Sequence, residues 1–353
     1  MKIRLAILET DKSYLNRIVS AFNMKYADKF EIYSFTEEKT ALEALGKYHV
    51  DVFLAGETFE IDQENIPEGC GFAYLAETRD ITSLHGEMAI CKFQKAELIY
   101  KQVINIYSEQ ESAITGIKHN HSGGKLIGFF SASGGNGTTT AAAAFANYAA
   151  GKGKKTMYLN LEIFGNTDLF FHGEGQGSFE DVIYAVKSRK GNLFLKLESS
   201  VKQDISGVYY FSKTNTALDM NELKLEEIKR ILTELRTSCD YEYIVLDLDF
   251  SLAKEKLELL AECEQLVMVS DGSKVSNDKA KRMLVALQII EQQNDLRLMM
   301  RMGVLYNRFS SKTSEKLVGV DLPELGGFRR FEGYRLEQLV QELSRLSVFD
   351  CLM

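Results

Sequence analysis

Residues 126–147 read LIGFFSASGGNGTTTAAAAFAN, and this stretch decides the fold of the larger part of the chain. The apolar run at its start is typical of a buried strand, and the alanine-rich run at its end is typical of a helix. The loop between them is rich in glycine, which allows consecutive backbone N–H groups to converge on one anion beside a helix N-terminus. The order strand, glycine loop, helix therefore predicts a phosphate-binding loop in an α/β domain.

This loop resembles the deviant Walker A motif, K-G-G-x-G-K-[ST]-[ST], of the MinD/ParA group of P-loop ATPases. Ser133 stands where that motif has its signature lysine, and Thr138 stands where it has the loop lysine. Because a P-loop lysine places a positive charge on the phosphates, we expect hydrolysis to be weakened before binding is. The resemblance implies ATP and Mg²⁺ as cofactors, and the implied nucleotide-binding residues of the loop are Gly134, Gly135, Asn136, Gly137, Thr138, Thr139 and Thr140.

Two later segments resemble the acidic motifs of the same group. Residues 158–168 (YLNLEIFGNTD) are similar to its switch segment, D-x-D-x-x-x-G-x-x-D, with Asn160 and Glu162 in place of the two aspartates. Residues 243–249 (YIVLDLD) are similar to its Walker B strand, which ends here at Asp247. The resemblance implies Glu162 as the catalytic residue that activates water, and it implies a Mg²⁺ site formed by Thr139, Asp247 and Asn160.

Near the end of the chain, residues 303–308 (GVLYNR) resemble the adenine-reading strand end of the group. A loop over 326–333 (GGFRRFEG) would then flank the base. The residues implied on the base side are Asn307, Arg308 and Arg329. Lys187, Arg189 and Lys274 are candidate replacements for the missing lysines, although a solvated surface charge is the simpler interpretation of each.

Residues 1–108 alternate short apolar runs with amphipathic stretches, as the βα units of a parallel sheet do. They resemble a response-regulator receiver, with Glu9 and Asp11 after the first strand and Lys92 after the fifth. The third strand ends at Gly56, where the family has its acceptor aspartate, so no carboxylate nucleophile is present there to form an aspartyl phosphate. We therefore expect a pseudo-receiver used for docking, with a regulated switch as the alternative.

The fold class predicted from these segments is α/β, with two doubly wound domains. A receiver-like (flavodoxin-like) domain occupies 1–108, a linker occupies 109–124, and a MinD/ParA-like P-loop NTPase domain that binds ATP occupies 125–353. The linker loses apolar periodicity and ends in a Ser-Gly-Gly run. A length of 353 residues with 45% apolar and 26% charged residues agrees with two globular domains.

The charge of the chain argues against two classes of partner. The net charge is −8, and 12 basic against 17 acidic residues place −5 of it on 1–108. Broad attraction to nucleic acid or to anionic lipid needs the opposite sign, and no apolar run approaches the roughly 18 residues that span a bilayer. We expect no nucleic-acid partner and no direct membrane insertion.

The combination of a receiver-like domain with a MinD/ParA-like domain that lacks both lysines is similar to the TadZ/CpaE family of type IVb (Flp/Tad) pilus assembly. This resemblance implies an ATP-bound homodimer that localises the pilus machinery and recruits the pilus secretion ATPase and inner-membrane pilus proteins, with weak or absent hydrolysis. It also implies a cytoplasmic protein, placed at a cell pole and at the periphery of the inner membrane through its partners. The alternative is an active MinD/ParA-type ATPase that cycles between monomer and dimer in spatial positioning or partitioning.

Overall fold

The computed structural model describes residues 2–110, 123–189, 191–294 and 296–353, which form two α/β units. The first unit contains the described residues up to 110 together with those in 185–200. The second contains the described residues from 123 to 184 and from 201 onward. Most of the linker predicted over 109–124 lies outside the described residues. The predicted fold class, α/β with two doubly wound domains, is confirmed, and each sheet is parallel except for a short antiparallel edge strand.

Nine elements in the N-terminal part of the chain build the first unit. In chain order they are β1 (Ile3–Leu8), α1 (Lys12–Lys25), β2 (Phe30–Phe35), α2 (Glu38–Tyr48), β3 (Val52–Gly56), β4 (Gly71–Ala76), β5 (Ser83–Leu84), β6 (Glu87–Cys91) and α3 (Ala96–Ser108). The sheet order is β2-β1-β3-β4-β6-β5. All neighbours are parallel except the short edge strand β5, which pairs antiparallel with β6. Apart from β5, this is the strand order of flavodoxin-like folds.

The first sheet is buried on both faces, as a doubly wound fold requires. Along β1, Leu5 and Ile7 join a core with α1 and α3, whereas Ala6 and Leu8 join a second core with α2. Side chains of successive strand residues point to opposite faces, so the unbroken apolar run of β1 serves two cores. This explains why the strand lacks the alternating polar pattern of a half-exposed strand.

The second unit contains a longer sheet of the same kind. The remaining elements of the chain are β7 (Lys125–Phe130), α4 (Thr138–Gly151), β8 (Thr156–Asn160), α5 (Phe179–Ser188), α6 (Leu193–Ser200), β9 (Lys202–Gln203), β10 (Tyr209–Tyr210), α7 (Ala217–Glu222), α8 (Leu225–Thr237), β11 (Tyr243–Asp247), α9 (Lys254–Ala261), β12 (Gln265–Ser270), α10 (Lys274–Gln293), β13 (Met302–Phe309), β14 (Glu324–Arg329) and α11 (Leu336–Leu343). The sheet order is β14-β13-β12-β7-β11-β8-β10-β9. Because β7 lies between β11 and β12, its carboxyl end opens at a topological switch point, where ligands bind in open α/β sheets.

The structure differs from the sequence expectations at the edges of this second sheet. The mainly apolar run at 207–211 (GVYYF), which has the pattern of a buried strand, forms a strand only at the two residues of β10. The loop expected over 326–333 begins inside β14, which pairs parallel with β13. Two glycines in β14 weaken its strand pattern in the sequence. In the part of the chain that the structure describes, none of the helices combines the length and the apolar character needed to cross a bilayer.

One helix of the first unit comes from a distant part of the sequence. Helix α6 packs on α3, and Leu195 is only 5% exposed and belongs to the apolar core of this unit. The Tyr100 hydroxyl donates a hydrogen bond to the Glu198 carboxylate at 2.8 Å, and Lys29 forms an ion pair with the same carboxylate. The contacts make α6 a structural part of the first unit, although the sequence division places it within 125–353.

We expect Leu195→Ala to destabilise the first unit by about 3 kcal/mol, because truncating a buried leucine removes apolar contacts and leaves a cavity. Amide groups of β1, β3 and α3 should then exchange with deuterium roughly a hundredfold faster. Mass spectrometry of the full chain measures this exchange.

Leu218→Ala is the matched control, because it removes the same atoms from a side chain of the second unit that is 67% exposed. It should leave these exchange rates unchanged. Equal rates in the two variants would contradict the assignment of α6 to the core of the first unit.

Candidate functional site

The glycine loop leads from β7 into α4 through two left-handed backbone positions. Gly135 has φ = 80° and Gly137 has φ = 79°, a region that side chains other than glycine disfavour. A Cβ atom on Gly137 would lie 2.3 Å from the Asn307 Nδ2 atom. Gly137 is also the N-cap of α4, and no side chain caps this helix end. The N–H groups of the first turn can therefore serve an anion instead of a capping side chain.

A cavity of about 510 Å³ opens at this loop. It is lined by most of the residues predicted from the sequence, namely Gly134, Gly135, Gly137, Thr138, Thr139, Thr140, Glu162, Asn307, Arg308 and Arg329. Asp249 and the aromatic rings of Phe250 and Phe331 also line it. The cavity thus combines a glycine loop, hydroxyl groups, two carboxylates and two guanidinium groups with apolar walls.

Asn136 is a loop residue whose side chain turns away from this cavity. Its Nδ2 atom donates to the Ser131 hydroxyl at 2.8 Å and to the Val269 carbonyl at 3.2 Å. Its Oδ1 atom accepts a hydrogen bond from the Ser276 hydroxyl at 3.1 Å. These bonds anchor the loop to the neighbouring β12 and α10. The nucleotide-binding role predicted for Asn136 can therefore involve only its backbone.

The end of β13 holds the loop from the other side. The Asn307 Nδ2 atom donates to the Asn136 carbonyl at 2.8 Å, and the Arg308 guanidinium donates to the Gly135 carbonyl. Since the C=O and N–H groups of one trans peptide point in opposite directions, the N–H groups of Asn136 and Gly137 point away from these two side chains. The two bonds therefore orient the peptide groups of the loop.

Asp247 and Asn160 form a buried polar cluster at the adjoining ends of β11 and β8. Asp247 is fully buried, and its Oδ2 atom accepts hydrogen bonds from the Tyr158 hydroxyl at 2.8 Å and from Asn160 Nδ2 at 3.2 Å. Its Oδ1 atom has no hydrogen-bond partner within the described chain. The Asn160 Oδ1 atom accepts from the Glu162 N–H at 2.9 Å, which connects the cluster to the cavity wall.

The carboxylates around this cluster repel one another. Burial and the charge of Glu162 raise the pKa of Asp247 to about 8. Burial and the charge of Asp249 also raise the pKa of Glu162, whose Oε2 atom accepts a hydrogen bond from the Thr139 hydroxyl at 3.3 Å. A nearby cation would relieve both effects and would satisfy the unpartnered oxygen of Asp247.

These residues fit a Mg²⁺ ion that also has ligands from outside the protein. Among the described residues, no group of three or more His, Cys, Asp or Glu side chains is arranged to hold a metal. Mg²⁺ commonly uses one or two protein ligands and completes its shell with phosphate oxygens and water. Thr139 and Asp247 match that pattern, whereas Asn160 acts on Asp247 through a hydrogen bond.

Sequence reasoning missed two residues of this site. Tyr158, which donates to Asp247, sits in an apolar run and carries no sequence signal beyond that of a core aromatic residue. Asp249 lies two residues after Asp247, and its Oδ2 atom accepts the Ile163 N–H at 3.0 Å. The repeated D-x-D at the end of a buried strand was the available signal for Asp249.

The first unit also has a polar cluster at the ends of its central strands. The carboxylate of Glu9, which is 2% exposed, forms an ion pair with Lys92 at 3.3 Å and accepts the Asp11 N–H at 3.0 Å. A Cβ atom on Gly56 would lie 3.1 Å from this carboxylate. Asp11 caps α1 through the N–H groups of its first turn. Gly56, which stands where receivers have the acceptor aspartate, thus lies next to the Glu9 carboxylate, and the charge of that carboxylate is already neutralised by Lys92.

The sequence of this first unit matches a known family. Residues 1–108 match the family model described as "TadZ-like, receiver domain". Residues 1–108 are therefore similar to TadZ-like receiver domains. The buried pair of Glu9 and Lys92 lies in this matched part, called here the TadZ-like receiver domain, at the place where the sequence showed no acceptor aspartate. No curated protein matches the chain in sequence.

Solved structures are similar to about two thirds of this chain. A ParA family ATPase from Chlorobium tepidum is 18% identical, with 63% of this chain and 98% of that chain covered and a TM-score of 0.48. MinD from Pyrococcus horikoshii, complexed with Mg-ADP, is 15% identical, with 62% and 94% covered and a TM-score of 0.48. A Cyanothece McdA variant in complex with ATP is 16% identical, with 66% and 96% covered and a TM-score of 0.49.

The raised pKa of Asp247 predicts a pH-dependent stability in the absence of nucleotide and Mg²⁺. The folded chain keeps a proton on this carboxyl up to about pH 8, whereas an unfolded aspartate loses it near pH 3.9. The contribution of Asp247 to the free energy of unfolding is therefore largest at acidic pH and is lost as the pH rises through about 8.

Urea unfolding between pH 5 and pH 8 measures this dependence. Asp247→Asn keeps the shape of the side chain and removes the proton equilibrium, so its unfolding midpoint should fall less with pH than that of the wild type. Parallel pH profiles would show that Asp247 does not retain its proton.

Proposed function

We propose that the second unit binds Mg-ATP and hydrolyses it slowly or not at all, and that the chain localises a type IVb (Flp/Tad) pilus assembly machinery. One observation carries the nucleotide part of this proposal. The glycine loop with its uncapped helix end lines the same cavity as Glu162 and Thr139, beside a buried Asp247 whose Oδ1 atom lacks a partner.

Each group of the site has a distinct role in this proposal. The backbone N–H groups of 134–137 and the first turn of α4 would surround the phosphates, since such groups form an anion-binding cradle. Thr139 and Asp247 would hold Mg²⁺, which supplies positive charge to the phosphate oxygens when it is bound. Phe250 and Phe331 supply the apolar wall that a planar base requires.

Slow hydrolysis is expected because the glycine loop lacks both lysines of the Walker A motif. Neither Ser133 nor Thr138 brings a cation to the phosphates, although charge stabilisation dominates the catalysis of phosphoryl transfer. Asn160 has no charge, and its amide binds Asp247 and the Glu162 backbone. A site that binds ATP without efficient turnover keeps a nucleotide-bound dimer in place, which suits a localisation factor.

A working ATPase that cycles between monomer and dimer is the second candidate. The observation that favours it is the position of Glu162, whose carboxylate lines the cavity beside Thr139. A carboxylate with a raised pKa is suited to accept a proton from water near neutral pH. In this alternative, Glu162 would activate the attacking water in spatial positioning or partitioning.

The TadZ-like receiver domain supports the pilus part of the proposal. Its excess of 17 acidic over 12 basic residues suits a docking surface for basic patches on protein partners. The partners proposed are a second copy of the chain, the pilus secretion ATPase and inner-membrane pilus proteins. Binding to the last of these would place the protein at the periphery of the inner membrane, at a cell pole.

We expect Gly137→Ala to abolish ATP binding and ATP-dependent dimerisation, because a Cβ there collides with Asn307 and strains a left-handed backbone. Fluorescence titration with an ATP analogue measures binding, and light scattering with Mg-ATP measures the molar mass. Gly153→Ala is the control, because φ is 78° and the added Cβ meets nothing within 4 Å. The backbone strain that alanine causes is similar at both positions. Unchanged ATP binding in Gly153→Ala would therefore show that the loss of ATP binding in Gly137→Ala arises from the glycine loop and not from strain alone.

The same two variants test the cellular role. A fluorescent fusion of the wild type or of Gly153→Ala should form polar foci and support pilus assembly, whereas Gly137→Ala should be diffuse and leave the cells without pili. Pilus assembly that survives deletion of the gene contradicts the proposed role in pilus assembly, whatever the nucleotide measurements give.

A single-turnover hydrolysis assay separates the two candidate functions. For a localisation factor we expect phosphate release by the wild type to stay close to that of Gly137→Ala, and Glu162→Ala to change it little. If the wild type releases phosphate steadily and Glu162→Ala abolishes this release, the protein is a cycling ATPase and not a localisation factor without turnover.

A further inference from the structure

The cavity keeps positive charge although its loop contains no lysine. Of the described residues that line it, the cationic ones are Arg308 and Arg329. The three sequence candidates for replacement cations, Lys187, Arg189 and Lys274, are not among the described lining residues. The charge that faces a ligand in this cavity therefore comes from the edge of the sheet formed by β13 and β14.

The backbone at Arg308 is irregular in a way that redirects its side chain. The pairing of β13 with β14 shifts between Tyr306 and Phe309, so β13 has an extra residue there. Arg308 itself has φ = 55°, a left-handed conformation that is uncommon for a residue with a long side chain. Bulges near sites re-aim side chains, and strained backbone positions concentrate at functional sites.

The redirected guanidinium reaches the glycine loop. It donates to the Gly135 carbonyl, and its Nη2 atom lies 3.9 Å from the place where a Cβ atom of Gly137 would be. A guanidinium has five N–H donors and matches phosphate oxygens in a planar, two-pronged geometry. The bond to Gly135 uses one N–H group, which leaves donors for a ligand in the cavity. Arg329 lies differently, with its guanidinium 5.3 Å from the centre of the Phe331 ring.

We propose that Arg308 supplies the phosphate-binding charge that the two lysine positions of the loop have lost. The inference rests on the proposed nucleotide site and adds the residue that contacts the phosphates from outside the loop. It assigns Arg308 to the phosphates, whereas the sequence pattern placed it beside the base.

The test compares the affinities of AMP, ADP and ATP for the full chain with Mg²⁺, by displacement of a fluorescent ATP analogue. Arg308→Ala should weaken ATP binding about ten- to hundredfold, since a hydrogen bond to a charged group contributes that much. It should weaken AMP binding only slightly, with ADP between them. Arg329→Ala removes the same charge from the same cavity and should weaken all three by one common factor.

Arg308→Lys is the second variant, because it keeps the cation if Arg308→Ala fails to fold. It should retain most of the preference for ATP over AMP at low salt and lose it as the salt concentration rises. The inference would be overturned if Arg308→Ala lost affinity for AMP, ADP and ATP by the same factor. It would also be overturned if the preference of Arg308→Lys for ATP over AMP did not depend on the salt concentration. A wild type that binds none of the three nucleotides would instead refute the proposed function.

Discussion

The burial of α4 is the constraint on which the proposed nucleotide site depends. Its small side chains are fully buried, and they are Ala141, Ala142, Ala143, Ala144, Ala146 and Ala149. The helix is enclosed by the sheet on one side and by α11 and the C-terminal residues on the other, where Phe145 packs against Phe349 with ring centres 5.6 Å apart. Close packing on all sides leaves such a helix no room to shift. The loop at its N-terminus is therefore held in shape before any ligand binds, and its missing lysines change the charge of the cradle and leave its form intact.

The regular parts of this architecture were predictable from the sequence, and the contacts between distant segments were not. Buried parallel strands are unbroken apolar runs, so the bounds of β11 agree with the strand expected to run from Tyr243 to Asp247. The loop and the residues that line its cavity were also predictable, because glycines and hydroxyls recur there at motif spacing. The sequence of α6 does not indicate that α3 is its neighbour, since its apolar residues, Leu195 among them, have the spacing of any helix that packs on a core. The bulge at Arg308 was hidden as well, because it arises from pairing with β14.

The two units place comparable clusters at the ends of their central strands and differ in how the charge is balanced. In the first unit, the buried carboxylate of Glu9 has an internal cation in Lys92. In the second, the buried carboxylate of Asp247 has hydroxyl and amide donors on one oxygen and no partner on the other. Breaking a buried ion pair is costly, so the first cluster resists change. An unpaired buried carboxylate favours a cation from outside. The difference makes the cluster of the second unit, and not that of the first, the candidate binding site.

The origin of α6 has a consequence for how the chain is made. A ribosome releases the N-terminus first, and domains usually fold as they emerge, at roughly 5 to 20 residues per second. The first unit is complete only when residue 200 has been synthesised, which is about 90 residues after α3. For roughly 5 to 20 seconds of synthesis, the face of α3 that later packs against α6 lacks its packing partner. During that interval the glycine loop is synthesised, so the second unit has begun to emerge before the first is complete.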